Sequence, residues 1–162
     1  MPDQDKARLI KDSKIGRELT DTQCAVLADL VEVDDYADGD VLVEEGARDD
    51  CLRVVLSGAL AVARKSADDG EWMRLNVLTS GDLAGELAFL DSKPRYAALV
   101  ALGPTRVFGL QRAKLESLLA KEPLIVYRVM RAIARFAHEL LHRSGAQMAE
   151  LTAYVYKSKA KY

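Results

Sequence analysis

The chain has 162 residues, with 49% hydrophobic and 30% charged side chains and a formal net charge of −2. That length fits one domain, and the charge argues against a general nucleic-acid-binding protein, which carries a strong basic excess. No apolar run approaches the roughly 20 residues needed to cross a bilayer. The N-terminal segment MPDQDKARLI also lacks the apolar core of a signal peptide. We therefore expect a soluble, cytoplasmic protein without membrane contact.

The N-terminal third predicts one short helix. Residues 1–15 are polar and are expected to be frayed, so residues 1–17 are assigned to a polar N-terminal segment. Apolar residues recur at helical spacing over residues 18–33, with Thr20 and Asp21 as candidate N-caps. The two cysteines, Cys24 and Cys51, are too few for a disulfide framework. Because both lie near apolar runs, we expect buried thiols in a reducing compartment.

Short β-branched runs follow the predicted helix. They are DGDVLVEEG, CLRVVLSGALAVARK, EWMRLNVL and YAALVALGPTRVFGL, and Asp-Gly, Ser-Gly, Asp-Asp-Gly and Gly-Pro sequences interrupt them. Strands with turns every eight to twelve residues or so are typical of an antiparallel barrel or jelly roll. The predicted fold class is therefore α+β: an antiparallel jelly-roll barrel flanked by an N-terminal helix and a long C-terminal helix.

Two helices are predicted after the barrel, a short one over residues 112–120 and a long one that Pro123 opens. One apolar stripe of the long helix is predicted to pack on the barrel; it comprises Val129, Ile133, Phe136 and Leu140. A second stripe, offset by about 100° around the helix axis, comprises Met130, Ala134, Ala137, Leu141, Ser144, Met148, Leu151 and Val155. Its alternating spacing of four and three is typical of a coiled coil and predicts a homodimer. Packing against the N-terminal helix is the alternative.

The stretch GELAFLDSKPRYAAL, residues 85–99, carries one carboxylate and one guanidinium at the two ends of a loop. Backbone N–H groups at the start of a helix bind anions, and the planar fork of Arg95 suits a phosphate. A carboxylate beside a phosphate site, here Glu86, accepts hydrogen bonds from sugar hydroxyls. Because the chain has neither a Walker lysine nor an acidic cluster for a metal, the pattern predicts a nucleotide of low charge rather than a triphosphate.

This stretch resembles the phosphate-binding cassette of the cyclic nucleotide-binding domain family, which includes the catabolite activator protein and the regulatory subunits of protein kinase A. The segment LVEEGARDDCLRVVLSGALAV is similar to a second family signature, with Gly46 and Gly58 at the expected turns. The resemblance covers about residues 18–140 and implies an eight-stranded jelly roll. We assign residues 18–143 to this domain and residues 144–162 to a helical extension with a basic tail.

The resemblance also implies the site. Glu86 would hold the ribose 2′-hydroxyl, Arg95 would hold the cyclic phosphate, and nearby backbone groups would complete the cradle. Residues on two strands would form walls around the base. The full set of implied ligand-binding residues is Val62, Leu75, Asn76, Gly85, Glu86, Leu87, Ala88, Arg95, Tyr96 and Ala97. The implied ligand is cyclic AMP, with cyclic GMP left open.

The chain departs from the family pattern at two positions. Ala84 stands where the family has a large apolar residue, and Tyr96 stands where it has Ala, Ser or Thr. The Tyr96 ring turns outward, stacks on the base or plugs the pocket. The resemblance therefore implies a non-enzymatic cyclic nucleotide sensor that signals through the C-terminal helix to an unidentified protein effector. The alternative is a degenerate domain that serves as a ligand-free protein interaction module.

Two other motifs are interpreted as solvated helix or terminus. HELLH, which contains His138 and His142, matches a zinc-protease pattern, but the chain has no further histidine. Glu150 lies about 12 Å further along a continuous helix, too far to share an ion. The tail YVYKSKAKY interleaves tyrosine with lysine, and the residues after Ser144 are too few for a separate DNA-binding domain. We therefore expect neither a metal site nor DNA binding.

Overall fold

The computed structural model describes residues 3–159, and it describes side chains over residues 4–153. In chain order the elements are α1 (Asp3–Asp12), a 3-10 turn (Gly16–Glu18), α2 (Asp21–Ala28), β1 (Val31–Tyr36), β2 (Val41–Val43), β3 (Cys51–Lys65), β4 (Trp72–Thr79), β5 (Leu83–Ala84), α3 (Glu86–Asp91), β6 (Ala98–Gln111), α4 (Arg112–Glu116) and α5 (Pro123–Lys159). All strand pairs are antiparallel.

The sheet follows the order β1-β6-β3-β4, with β2 also pairing with β6 and β5 with β3. The predicted antiparallel jelly roll between flanking helices is confirmed. Residues 3–159 contain six strands rather than the eight that the resemblance implies, because β3 and β6 are long and pair with each other through register shifts. Gly58 lies at one such shift with φ +78, and a Cβ there would lie 2.4 Å from the carbonyl oxygen of Pro104. This close crossing requires glycine.

The N-terminal segment is ordered, so the expectation of a frayed start is wrong for its described part. Residues Asp3–Asp12 form α1, and both Ile10 and Ile15 are fully buried in the core. The Nζ of Lys11 donates to the carbonyl oxygen of Leu19 at 2.5 Å. Ile10 packs α1 into the core, and so short a helix is stabilised mainly by such packing in the folded chain.

The following helix begins as predicted and ends early. The side chain of Thr20 accepts from the backbone N–H of Gln23 in a complete capping box, which confirms Thr20 as the N-cap. The helix ends at Ala28, so the helical prediction for residues 29–33 is wrong. Val31 and Val33 belong instead to β1 and pair with Leu110 and Phe108 of β6. Alternation with burial on one face favours a strand there. Likewise, α4 stops at Glu116, short of the predicted end.

Helix α5 begins at Pro123 as predicted and runs for 37 residues, about 55 Å. The stripe predicted to pack on the barrel does so, with Val129, Ile133 and Phe136 in the core and Leu140 packed against it. The second stripe is largely exposed, and Leu141 is 71% exposed. This exposure argues against the alternative, packing on the predicted N-terminal helix, which is α2 in the structure. The side chain of Val155, which completes this stripe, lies outside the described residues.

The two cysteines, Cys24 and Cys51, are both buried and form no disulfide, as predicted. Across residues 3–159, no helix combines the length and the apolar composition needed to span a membrane.

Candidate functional site

A cavity of about 250 Å³ opens between the sheet, α3 and α5. The cassette residues predicted from the sequence converge on it from both ends of their loop. The side chains and backbone that line the cavity belong to Val62, Asn76, Leu78, Leu83, Gly85, Glu86, Leu87, Ala88, Asp91, Lys93, Pro94, Arg95, Tyr96, Ala97, Leu99 and Leu140. Nine of the ten predicted site residues therefore lie together, and Leu75 does not.

Gly85 forms the turn into α3 and lies directly beneath Arg95. Its φ of +80 is in the left-handed region, and a Cβ there would lie only 1.8 Å from Nη1 of Arg95. The first helical hydrogen bond runs from the N–H of Phe89 to the carbonyl oxygen of Gly85 at 3.0 Å. The amides of Glu86, Leu87 and Ala88 thus precede the helical ladder. Glycine at this position lets a guanidinium rest on the start of the helix.

The Arg95 side chain is 6% exposed and is anchored by the loop before β3. Its Nη2 donates to Oδ2 of Asp49 at 2.9 Å and to the carbonyl oxygen of Cys51 at 2.7 Å. Its backbone N–H donates to Ala47, and its carbonyl accepts from Gly46. Nε is buried without a hydrogen-bond partner in the described part of the chain. Arg95 is therefore held firmly on one side, with donor capacity remaining on the other.

Asp49 is shared between two arginines. Besides Arg95, it accepts from Nη1 of Arg53 at 2.5 Å. Burial raises the pKa of Asp49, but the hydrogen bonds and charges of Arg53 and Arg95 outweigh that effect and hold the pKa below its usual value. The carboxylate is therefore ionised at neutral pH, where it fixes the guanidinium of Arg95. Sequence reasoning missed Asp49, although it lies within the second signature that the resemblance rests on.

Glu86 lies at the first position of α3, partly buried in the cavity wall. Burial raises its pKa above the ordinary value, while its own backbone N–H and the charge of Arg95 oppose that shift. A carboxylate in this setting gains from a hydroxyl donor, because such a bond offsets lost hydration.

Tyr96 follows Arg95 and is 63% exposed, so its ring lies at the rim and leaves the cavity open. Burial, and then the negative charge of Glu86, raise the pKa of its hydroxyl. Of the three orientations considered for this ring, the structure adopts an outward one. Stacking on a bound base would require only that the ring cover the opening.

A β-bulge in β4 separates the predicted site residues that line the cavity from the one that does not. Val62 pairs with Asn76, and both line the cavity, but the next pair joins Ala63 to Arg74. Leu75 is left unpaired between them and is 44% exposed. One extra residue on a strand re-aims the neighbouring side chain, which is why the predicted wall position of Leu75 differs from the structure.

Four leucines that the sequence did not assign to the site also line the cavity: Leu78, Leu83, Leu99 and Leu140. Alternation from Asn76 along β4 would have identified Leu78. Leu140 was assigned to the stripe that packs on the barrel, and it also faces the cavity. Helix α5 therefore forms part of the cavity wall.

The two histidines of the HELLH motif lie side by side on α5. His138 and His142 are exposed on α5, and their rings meet edge to face with centroids 4.6 Å apart. Within the described residues, no group of three His, Cys, Asp or Glu side chains could hold a metal ion.

The fold and cavity define a jelly-roll binding domain. The family model described as the cyclic nucleotide-binding domain matches residues 33–122. The chain belongs to the cyclic nucleotide-binding domain family, as the resemblance predicted. The family is regulatory rather than catalytic, so the prediction that the chain is not an enzyme is confirmed.

Individual relatives agree with this membership. The chain is 28% identical, over 127 residues, to a CRP-like cAMP-activated global transcriptional regulator of Mycobacterium tuberculosis, covering 78% of this chain and 54% of that protein. The chain thus spans about half the length of the curated relatives it matches. The N-terminal domain of a Streptomyces coelicolor A3(2) transcriptional regulator is 30% identical, with a TM-score of 0.69 over 82% of this chain and 94% of that one. A cyclic nucleotide-binding domain from Methylobacillus flagellatus KT, 20% identical, shares the fold at a TM-score of 0.82 over 91% and 84% of the two chains.

Proposed function

We propose that this chain binds cyclic AMP in the cavity beneath Tyr96 and passes the signal through α5 to a protein partner. The observation that carries the proposal is the buried Arg95 guanidinium, which lines the cavity while its Nε lacks a partner among residues 3–159. A buried cation with an unused donor favours an anionic occupant.

In this proposal each cassette residue has one role. Arg95 and the amides at the start of α3 bind the cyclic phosphate, whose single charge matches one guanidinium. Glu86 accepts hydrogen bonds from the ribose hydroxyl. Val62 and Asn76 contact the base, and Tyr96 covers it. The apolar leucines beside them suit a planar heterocycle.

The choice of adenine rests on two points. The Mycobacterium tuberculosis relative is named as cAMP-activated. In addition, Tyr96 offers no short hydroxyl of the kind that favours guanine in this family. Cyclic GMP is the competing ligand.

Signalling through α5 is supported by the position of Leu140. Because this residue lines the cavity from α5, an occupant would contact the helix directly. A ligand shifts a conformational equilibrium only through contacts that differ between the two states, and in this proposal the contact with Leu140 is one of them.

The alternative function is that of a ligand-free interaction module. It is favoured by the hydrogen bonds that Nη2 of Arg95 already makes to Asp49 and Cys51, which hold part of the guanidinium without any ligand.

Calorimetric titration with cyclic AMP and cyclic GMP separates these functions. The wild type should bind cyclic AMP more tightly than cyclic GMP. Arg95→Ala should lose on the order of 2–5 kcal/mol of binding free energy. Arg106→Ala, which removes an exposed arginine paired with Asp35 far from the cavity lining, is the matched control and should bind as the wild type does. A wild type without affinity for either nucleotide would favour the interaction module.

We further propose that the chain forms a homodimer through the second stripe of α5 and acts in the cytoplasm. The stripe keeps the coiled-coil spacing, and over residues 130–151 its side chains are exposed except for the half-buried Ala137. The unpaired thiols suit a reducing compartment. Ala137→Glu should convert the dimer to a monomer in sedimentation velocity, because two charges would meet near a symmetry axis. Ala149→Glu, exposed and off the stripe, should not; equal effects would contradict the proposed interface.

A further inference from the structure

Lys14 lies between α1 and the 3-10 turn and contacts two other parts of the molecule. Its Nζ lies 2.7 Å from Oδ1 of Asp82 and 3.6 Å from Oε2 of Glu139. It also lies 4.6 Å from the ring centroid of Phe136 on α5. The backbone N–H of Lys14 donates to the carbonyl oxygen of Gly81 at 3.4 Å. One residue thus joins the turn before β5 to helix α5.

The two carboxylates that Lys14 contacts each precede a residue of the cavity wall. Asp82 is followed by Leu83 on β5, and Glu139 is followed by Leu140 on α5. Both leucines line the cavity, whereas Lys14 does not. Lys14 therefore contacts the elements that carry two walls of the cavity from outside it.

The contact with Asp82 is the stronger of the two. The side chains of Lys14 and Asp82 are 18% and 16% exposed, so solvent and salt screen the pair weakly. Burial raises the pKa of Asp82, but the hydrogen bond from Lys14 and that from the backbone of Thr79 outweigh it and hold the pKa below its usual value. Glu139 is half-exposed and farther away. Lys14 is thus fixed to the turn before β5, residues 80–82, which we call the β5 turn, and its ammonium group also contacts α5.

We propose that Lys14 is a positioning residue that holds the β5 turn and α5 at a fixed separation and so couples the contents of the cavity to the helix. The coupling part rests on the proposed function, while the holding part does not. Movement of Leu83 or Leu140 around a ligand would be transmitted between the two elements in part through the ammonium group of Lys14.

The holding part is tested on the ligand-free protein by hydrogen exchange. Lys14→Met keeps an aliphatic side chain and removes the charge, including its contact with the Phe136 ring. Lys14→Arg keeps the charge, and Lys114→Met removes a lysine paired with Glu32 outside the cavity lining. Lys14→Met should speed exchange at least fivefold in both residues 80–84 and residues 137–143. The other two variants should match the wild type. Unchanged exchange in either segment of Lys14→Met would overturn the inference, whether or not the protein binds a nucleotide.

The coupling part is tested by adding cyclic AMP. In the wild type the ligand should slow exchange in the cassette and in residues 137–143. In Lys14→Met the cassette should still be protected, the response of the helix should be smaller than in the wild type because only the direct contact with Leu140 remains, and affinity should fall about fivefold or more. A helix response in Lys14→Met equal to that of the wild type would overturn the coupling. A wild type that binds no cyclic nucleotide would refute the proposed function and the coupling, and the ligand-free measurement would still decide the holding role.

Discussion

Gly85→Ala should lower the free energy of unfolding by more than the backbone strain of a left-handed residue accounts for. At φ +80, a residue with a Cβ costs about 1–2 kcal/mol. The new Cβ would also lie 1.8 Å from Nη1 of Arg95 and 2.4 Å from its Cζ, so the guanidinium must shift and lose one of its hydrogen bonds to Asp49 and Cys51. Hydrogen bonds involving a charged group contribute about 1.5–3 kcal/mol. Gly85→Ala is therefore predicted to lower the free energy of unfolding by about 2.5–5 kcal/mol.

Gly39→Ala is the matched control. Gly39 has φ +82, and a Cβ at this position would have no neighbour within 4 Å, so this variant should lose only the strain, about 1–2 kcal/mol. In a domain of this size, each kcal/mol lowers Tm by about 2–4 °C. Thermal denaturation should therefore separate the two variants, and calorimetric titration with cyclic AMP should detect lost binding in Gly85→Ala alone. Equal Tm losses, or undiminished binding by Gly85→Ala, would refute the argument.

Two further predictions concern the remaining cassette side chains. Because burial holds the folded-state pKa of Glu86 above its unfolded value, its contribution to stability is present at low pH and lost as pH rises through the raised pKa. The Tm of Glu86→Gln minus that of the wild type should therefore increase as pH rises, and the variant should bind cyclic AMP more weakly. A Tm difference that does not change with pH would contradict the argument. Tyr96→Ala should weaken binding by roughly 1–3 kcal/mol if the ring stacks on the base and leave affinity unchanged if the ring stays outward. A strong gain in affinity, measured by titration, would mean that the ring blocks the site.

Local chemistry explains what could be predicted from the sequence. The cap at Thr20 and the turn at Gly85 depend on neighbouring residues, and the core stripe of α5 depends only on helical period. Glu86 and Arg95 could likewise be selected because they lie at the two ends of one loop, whereas the other candidate site residues were implied by the resemblance to the family. These features need no knowledge of distant contacts.

The features that were missed depend on tertiary pairing. Asp49 contacts Arg95 across 46 positions, and Lys14 contacts Asp82 across 68; no local pattern pairs them. Leu75 was misplaced because a bulge in β4 shifts the side-chain alternation, and one extra residue is enough to change which face a side chain occupies.

The long pairing of β3 with β6 has a consequence for how the site is made. Cys51 pairs with Gln111 and Ala63 with Ala98, so the whole cassette lies in the loop that this pairing closes. Contacts between residues so distant in sequence form slowly during folding. The contact between Arg95 and Asp49, which spans 46 positions, is therefore expected to form late in folding, together with this pairing. A ligand that needs both residues would then bind the folded barrel and not the unfolded chain, and so would stabilise the folded state.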